Sequence, residues 1–576
     1  MKNILHYLKP YSLSITIAYI LTFVELITEL LFPFFLGIVI DKGIMTNDLD
    51  TVIKWGSIML GLSIITFISG IFNSYFASHV GNSYAYDVRK QLFDNIQQFT
   101  YEQLNKFPTA GIVTRFTNDI RQVQNTIFMA LRIMAKAPFM IIGGVIMAFI
   151  VNFKLASIFL ITVPFLTLFL FWVLKKGSVM FRKVQQSVDE VNRVLQENIA
   201  GIRVIKAFVT RRFENSRFKD ANEDLKLTSQ TAFRFMEAAM PILLFVMNLS
   251  LLFILWYGNQ QTIAGTIHVG DVVAIVNYAL RIVMAISMLA FITMAFSRAK
   301  ASAERVDYIL NEPIEQLHIT TKDGKPTEQI IKDGSISFEH VSFSYPQSDV
   351  TILNDVTFAI EGNTTLAVIG STGSGKTTMF QLIPRLYEPT DGQIYIDNMP
   401  LTHFNEFQLR DAIGYVPQSP LLFTGTIADN LRFGKSNASD AEIIQAAKDA
   451  QIHETIMNFP NGYETIVGQR GVNLSGGQKQ RISIARALVR QPKILMFDDS
   501  TSALDLETEA QLLKAIQKYN CTLLLITQKI STAQKADKIL LLDDGKCLAI
   551  GTHDQLLKQS PLYEKIIESQ IEKEAQ

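Results

Sequence analysis

Apolar residues in the first half of the chain come in long, nearly unbroken runs, whereas in the second half they alternate with polar ones over short segments. Six of the long runs, Ser12 to Ile40, Trp55 to Phe76, Ile127 to Val151, Leu155 to Leu174, Ala238 to Tyr257 and Val272 to Phe296, can each cross roughly 30 Å of hydrocarbon as a helix rising about 1.5 Å per residue. From Ser335 onward, short strand-like stretches alternate with helical ones of ordinary polarity. The polar stretch from Asn311 to Gly334 lies between. The pattern predicts an α-helical transmembrane domain with six spans over 1–310, a linker over 311–334, an α/β domain over 335–571 and a short tail, 572–576.

An even number of spans puts both termini on one side of the membrane. Basic residues crowd the fourth connection (Lys175, Lys176, Arg182, Lys183, Arg193, Arg203, Lys206, Arg211, Arg212, Arg217), and the loop from Gly258 to Asp271 has no Lys or Arg. By the positive-inside bias, both termini and the α/β domain are expected in the cytoplasm of a multi-pass plasma-membrane protein. The connections Ala77 to Asn125 and Lys175 to Glu237 keep helical periodicity, so the spans are expected to continue into the cytosol as helices. Their tips are expected at Gly111 to Asp119 and Arg211 to Arg217. The opening Met1–Ser14 lacks a small-residue cleavage site and reads as an interfacial helix leading into a retained span.

Composition agrees with a membrane class: 48% hydrophobic residues stand beside 18% charged ones. A formal net charge of zero gives no basic excess for nucleic acid, so no nucleic-acid partner is expected. Cys521 and Cys547, the two cysteines, lack metal-ligand spacing and fit a reduced compartment. Ionisable residues within spans are costly in lipid and mark candidate function. Glu25 and Glu29, one helical turn apart, share a face, and Arg281 lies within the last span. Contact with substrate and pairing with Arg132, Lys136 or Arg281 are both open for them.

The second half carries a phosphate-binding loop. GSTGSGKTT (Gly370, Ser371, Thr372, Gly373, Ser374, Gly375, Lys376, Thr377, Thr378) follows the apolar strand TLAVI and precedes a helical run. Its glycines let the backbone turn its N–H groups toward phosphates, Lys376 offers a point charge to the outer phosphates, and Thr377 offers a hydroxyl to Mg2+. Downstream, the strand in KILMFDDSTSALD ends at Asp498, an acidic ligand for Mg2+, and LSGGQ spans Leu474 to Gln478.

With these motifs the chain resembles the ATP-binding cassette (ABC) superfamily, and six spans followed by one cassette resemble its exporter half-transporters over essentially the whole sequence. The resemblance implies that Tyr345 in FSYP stacks on adenine and that Gln418 in YVPQSP senses Mg2+ from the Q-loop. It also implies that Ser475 and Gly477 of the signature grip ATP bound to a partner cassette, with Ser502 to Asp505 crossing between the two.

Two positions depart from the family pattern. Asp499 stands where the catalytic glutamate is usual, with an arm shorter by about 1.5 Å, and Gln528 stands where the switch histidine is usual; its amide can donate a hydrogen bond but cannot take up a proton. Gln469 in VGQRG replaces a glutamate in a loop thought to meet the docking helices. An intact signature beside a degenerate base and switch implies one subunit of a heterodimeric multidrug exporter. It would take ATP and Mg2+, pair with a second ABC half-transporter, sit among membrane lipid and export small hydrophobic or amphipathic compounds. The rival expectations are a homodimeric exporter of lipid or peptide, and an ATP-gated channel or regulatory subunit.

Overall fold

The computed structural model describes residues 2–314, 330–346 and 348–574. The chain divides into two compact units: the first takes Met1–Gln97 with Pro108–Pro313, the second Gln98–Phe107 with Ile314–Gln576. Most of the expected linker, 315–329, lies outside the described residues.

The first unit holds six helical segments long and apolar enough to span a membrane: Ile4–Ile44, Leu49–Gln98, Thr109–Val151, Phe153–Ala200, Arg211–Ile263 and Val269–Leu310. Each contains one of the apolar runs and extends beyond it, since mixed-charge but helix-compatible sequence continues the hydrogen-bond ladder past the hydrocarbon. Their outward faces are apolar: Phe67, Ile161 and Leu168 are about 70% exposed or more, as contact with lipid requires. Inside, Leu26, Met140, Phe159, Leu166, Tyr278 and Ile282 belong to one buried cluster. The first and sixth spans touch at Gly37 and Gly270, where a Cβ on Gly270 would lie 2.2 Å from the Gly37 carbonyl oxygen, so only glycine allows this approach. π-type turns interrupt the third span at Arg115–Asp119 and Ala130–Met134.

The connection tips fall elsewhere than the sequence reading expects. Gly111–Asp119 is helical and belongs to the third span, and Arg211–Arg217 opens the fifth. The short helices at the turns are Tyr101–Asn105 and Ile202–Ala207. Thr100 and Gln103 form a reciprocal capping box that starts the first of these, and Pro108 follows it. The second runs from Gly201 to a turn at Val209, whose φ of 55° is unusual for a β-branched residue.

The second unit is an α/β domain. Strands β1 (Ile336–Ser344), β2 (Thr351–Ile360), β4 (Asp391–Ile396) and β5 (Met399–Pro400) form an antiparallel sheet in the order β2-β1-β4-β5. The main sheet is ordered β12-β11-β3-β10-β9-β6 and contains β3 (Thr365–Ile369), β6 (Ile413–Val416), β9 (Ile494–Asp498), β10 (Thr522–Ile526), β11 (Lys538–Asp543) and β12 (Lys546–Gly551). All its neighbours pair parallel except β11 with β12. A two-strand pair, β7 (Gly425–Thr426) with β8 (Ile466–Val467), stands apart. β3, β9 and β10 are continuous apolar runs because their sheet is covered on both faces. The last helix runs Pro561–Glu574, across the expected domain end at 571.

Candidate nucleotide site

In an open parallel sheet, ligands bind beyond the carboxyl ends of the strands. β3 leads into the phosphate loop, β6 is followed by Gln418, β9 ends in Asp498 and is followed by Asp499, and β10 is followed by Gln528. Most of the nucleotide residues read from the sequence thus come from four neighbouring strand ends.

The phosphate loop can be built only from the residues it has. A Cβ at Gly370 would sit 1.9 Å from the Leu542 carbonyl oxygen, and Gly373 and Gly375 take φ of 88° and 97°, which side chains rarely adopt. Lys376 Nζ donates to the carbonyls of Gly370 (2.9 Å) and Ser371 (2.6 Å) and lies 3.3 Å from Ser374 Oγ, so the ammonium is folded over the loop. Burial pulls the Lys376 pKa down, against the opposing pull of Asp499, Asp498 and Asp543. Ser371 Oγ donates to Asp543 Oδ1 at 2.9 Å. Thr372 is exposed on the same loop.

Thr377 Oγ1 donates to Asp498 Oδ1 at 2.9 Å, and Tyr415 OH donates to Asp498 Oδ2 at 3.2 Å. Asp498 is 2% exposed, and burial raises its pKa despite both hydrogen bonds. A buried carboxylate beside a hydroxyl is an oxygen donor set that suits a hard divalent cation, so these residues fit Mg2+.

Asp499 has φ of 49°, and its Oδ2 accepts from Gln528 Nε2 at 3.2 Å and from Gln418 Nε2 at 3.4 Å. Burial raises its pKa, and the two amides act in the opposite direction. The acid at the end of β9 therefore faces two neutral amides.

Tyr345 OH bonds Thr378 Oγ1 at 2.9 Å and donates to Gln381 Oε1 at 3.3 Å. Its ring packs edge-on against Phe343 and Tyr387. Tyr387 also takes the edge of Tyr101, and its hydroxyl accepts from Asn105 Nδ2 at 2.6 Å, which ties the Tyr101–Asn105 helix to the ring beside Tyr345.

Ser475 caps the helix Gly476–Val489. Its Oγ accepts from Gln478 N, while Gln478 Oε1 accepts from Ser475 N. Gly476 has no atom within 4 Å of a Cβ position, and at Gly477 the nearest is the Ala503 carbonyl oxygen at 3.5 Å, so the signature presents open backbone. No hydrogen bond links the signature to Lys376, Asp498 or Asp499 among the described residues.

Sequence reasoning missed Tyr415, Asp543, Gln381 and Tyr387. Tyr415 alone had a local signal, an aromatic in the strand three residues before Gln418; the others depend on which elements become neighbours in space.

A six-helix membrane domain joined to a phosphate-loop α/β domain defines an ATP-binding membrane transporter. The ABC transporter transmembrane region family matches residues 15–286, and the ABC transporter family matches residues 353–502. The chain is 52% identical over 577 residues to the uncharacterized ABC transporter ATP-binding protein YfiB of Bacillus subtilis, covering 100% of this chain and 99% of that one. It is 32% identical over 583 residues to a putative multidrug export ATP-binding/permease protein of Staphylococcus aureus, covering 98% and 99%. The solved structure of a bacterial Atm1-family ABC exporter with ATP bound matches with a TM-score of 0.77 over 97% of this chain and 98% of that one, at 23% identity. The chain belongs to the ABC transporter family, and its fold is the exporter type.

Proposed function

We propose that this chain is one subunit of a heterodimeric, ATP-driven exporter of amphipathic or hydrophobic compounds, and that its own nucleotide site is degenerate. Tyr345 and Gly370 to Thr378 hold ATP. Thr377, Asp498 and Gln418 would hold Mg2+, which when bound neutralises charge on the outer phosphates. The observation that carries the reading is the pair of amides on Asp499 Oδ2. A general base must accept a proton from the attacking water and needs a partner that stabilises the charge that results. Asp499 has the shorter arm, and Gln528 cannot carry charge. ATP at this site is therefore held and turned over slowly.

Ser475 and Gly477 complete a second site on the partner's phosphate loop, where most hydrolysis occurs. A partner is also favoured by apolar surface at the second tip: Val204, Phe208, Val209 and Phe213 are 59–83% exposed. The cytoplasmic placement of both termini and of the α/β domain follows from the basic connections, and the residues before 311 and from 335 to 571 act as membrane and nucleotide domains. The likeness to a putative multidrug export protein supports export of apolar compounds.

Vanadate trapping with a photoreactive ATP tests the assignment. The expected result is trapped label on the partner's phosphate loop, with this chain retaining untrapped ATP. Equal trapping on both chains would contradict it.

A further inference from the structure

Two acids and two bases meet inside the membrane domain. Lys136 Nζ donates to Glu29 Oε1 at 2.6 Å and lies 3.5 Å from Glu25 Oε2, while Arg281 reaches Glu29 Oε2 at 3.9 Å. Glu25 Oε1 also accepts from Asn73 Nδ2 at 3.4 Å, and the same amide donates to Thr22 Oγ1 at 2.9 Å. Thr28 and Thr66 join hydroxyls at 2.6 Å nearby on the first and second spans. The cluster draws on the first, second, third and sixth spans, and Lys136 stands two residues after the π-type turn Ala130–Met134, a distortion frequent at functional sites.

Pairing explains how four charges are tolerated among apolar helices, and two further observations go beyond it. Asn73 is fully buried, yet among the described residues its Oδ1 has no hydrogen-bond partner, so the amide that touches Glu25 carries an unsatisfied acceptor. The side chains of Glu29, Lys136 and Arg281 keep 29%, 22% and 28% of their surface accessible, so a ligand can reach them.

The charges balance: two carboxylates, one ammonium and one guanidinium. A singly charged ligand that captures one of them leaves its former partner unpaired in a low-dielectric region, which is strongly unfavourable. A ligand carrying both signs exchanges pairs without stranding a charge. We propose that this quartet recognises the headgroup of a zwitterionic amphiphile, whose cationic group goes to Glu29, with the buried Glu25 adding its charge from behind the contact, and whose anionic group goes to Arg281 and Lys136. The inference rests on the export reading and names its substrate class.

The test uses photoreactive amphiphiles with one common tail and phosphocholine, methyl phosphodiester or trimethylammonium heads, crosslinked to the full-length protein, with its partner, in nonionic micelles. Wild type should label with the zwitterionic head on the order of tenfold more than with either singly charged head, the ratio that about 1.4 kcal/mol makes. Lys136→Met should shift preference to the cationic head and Glu29→Gln to the anionic head. The double variant E29Q/K136M restores charge balance. It should label more weakly with no preference for a singly charged head, so the rule stays testable if a single variant fails to fold. Labelling that ignores head charge in wild type and variants, or that maps away from these four spans, would overturn the inference whatever transport shows. Labelling that obeys the charge rule, without ATP-driven movement of any head across the membrane of sealed vesicles holding the same pair, would leave the site standing and sink the export reading.

Discussion

Asp499 and Asp498 are adjacent carboxylates with different surroundings. Asp498 is paired with the hydroxyls of Thr377 and Tyr415, and Asp499 with two amides. If the amides and the short arm limit hydrolysis, Asp499→Glu together with Gln528→His should raise phosphate release by this subunit at least about tenfold, since a well-placed general base is worth roughly a hundredfold or more. Tyr415→Phe removes one hydrogen bond to Asp498, a loss of about 1 kcal/mol. It should raise the Mg2+ concentration needed for half-maximal nucleotide binding about fivefold, without loss of fold in circular dichroism. That the loop follows a strand, that Asp498 ends one and that Ser475 precedes a helix were legible because each motif fixes its own backbone over a few residues. Tyr415 was not, because its reach to Asp498 depends on the register that sets Val416 opposite Phe497.

At the scale of elements, spans and strands were readable from periodicity, since helices longer than the bilayer and fully covered strands leave strong patterns. The tips fall outside the glycine-containing and charged stretches Gly111–Asp119 and Arg211–Arg217 because those stretches continue helices, while the capping box at Thr100 and Gln103, visible in the sequence, starts the first tip helix. Asn105→Ala should loosen that helix by about 1 kcal/mol and raise protease cleavage within 98–107 several-fold. In β10's approach, Cys521 is 7% exposed, and burial pushes its thiol up to about 11. Its thiolate is disfavoured in the fold, so the stability this thiol contributes is present below its unfolded pKa, near 8.5, and is lost as pH rises from there toward 11. Iodoacetamide at pH 8 should leave Cys521 unmodified in folded protein and modify it in denaturant. Cys521→Ala should flatten the alkaline fall in stability.

For the whole molecule, the signature and the phosphate loop are expected to serve two different nucleotides, one of them on another chain. Phe208 and Val209 are exposed by 76% and 83%, and such a tip is the kind of surface a partner covers. Partner and substrate were not legible as identities: a sequence encodes its own half of an interface, and the charge quartet required four spans to be brought together in space. In the assembled pair, Ser475→Ala should lower turnover at least about tenfold, whereas Lys376→Ala should lower it no more than about threefold, if phosphate release runs mainly at the site proposed to be completed by Ser475. The most direct measurement is steady-state ATPase activity of this subunit alone and with its candidate partner, with the partner's catalytic glutamate replaced by glutamine as control. Negligible turnover alone and robust turnover in the pair, abolished by the control, is the expected result. Substantial turnover by this chain alone, unchanged on pairing, would contradict it and make Asp499 a working base in a homodimer.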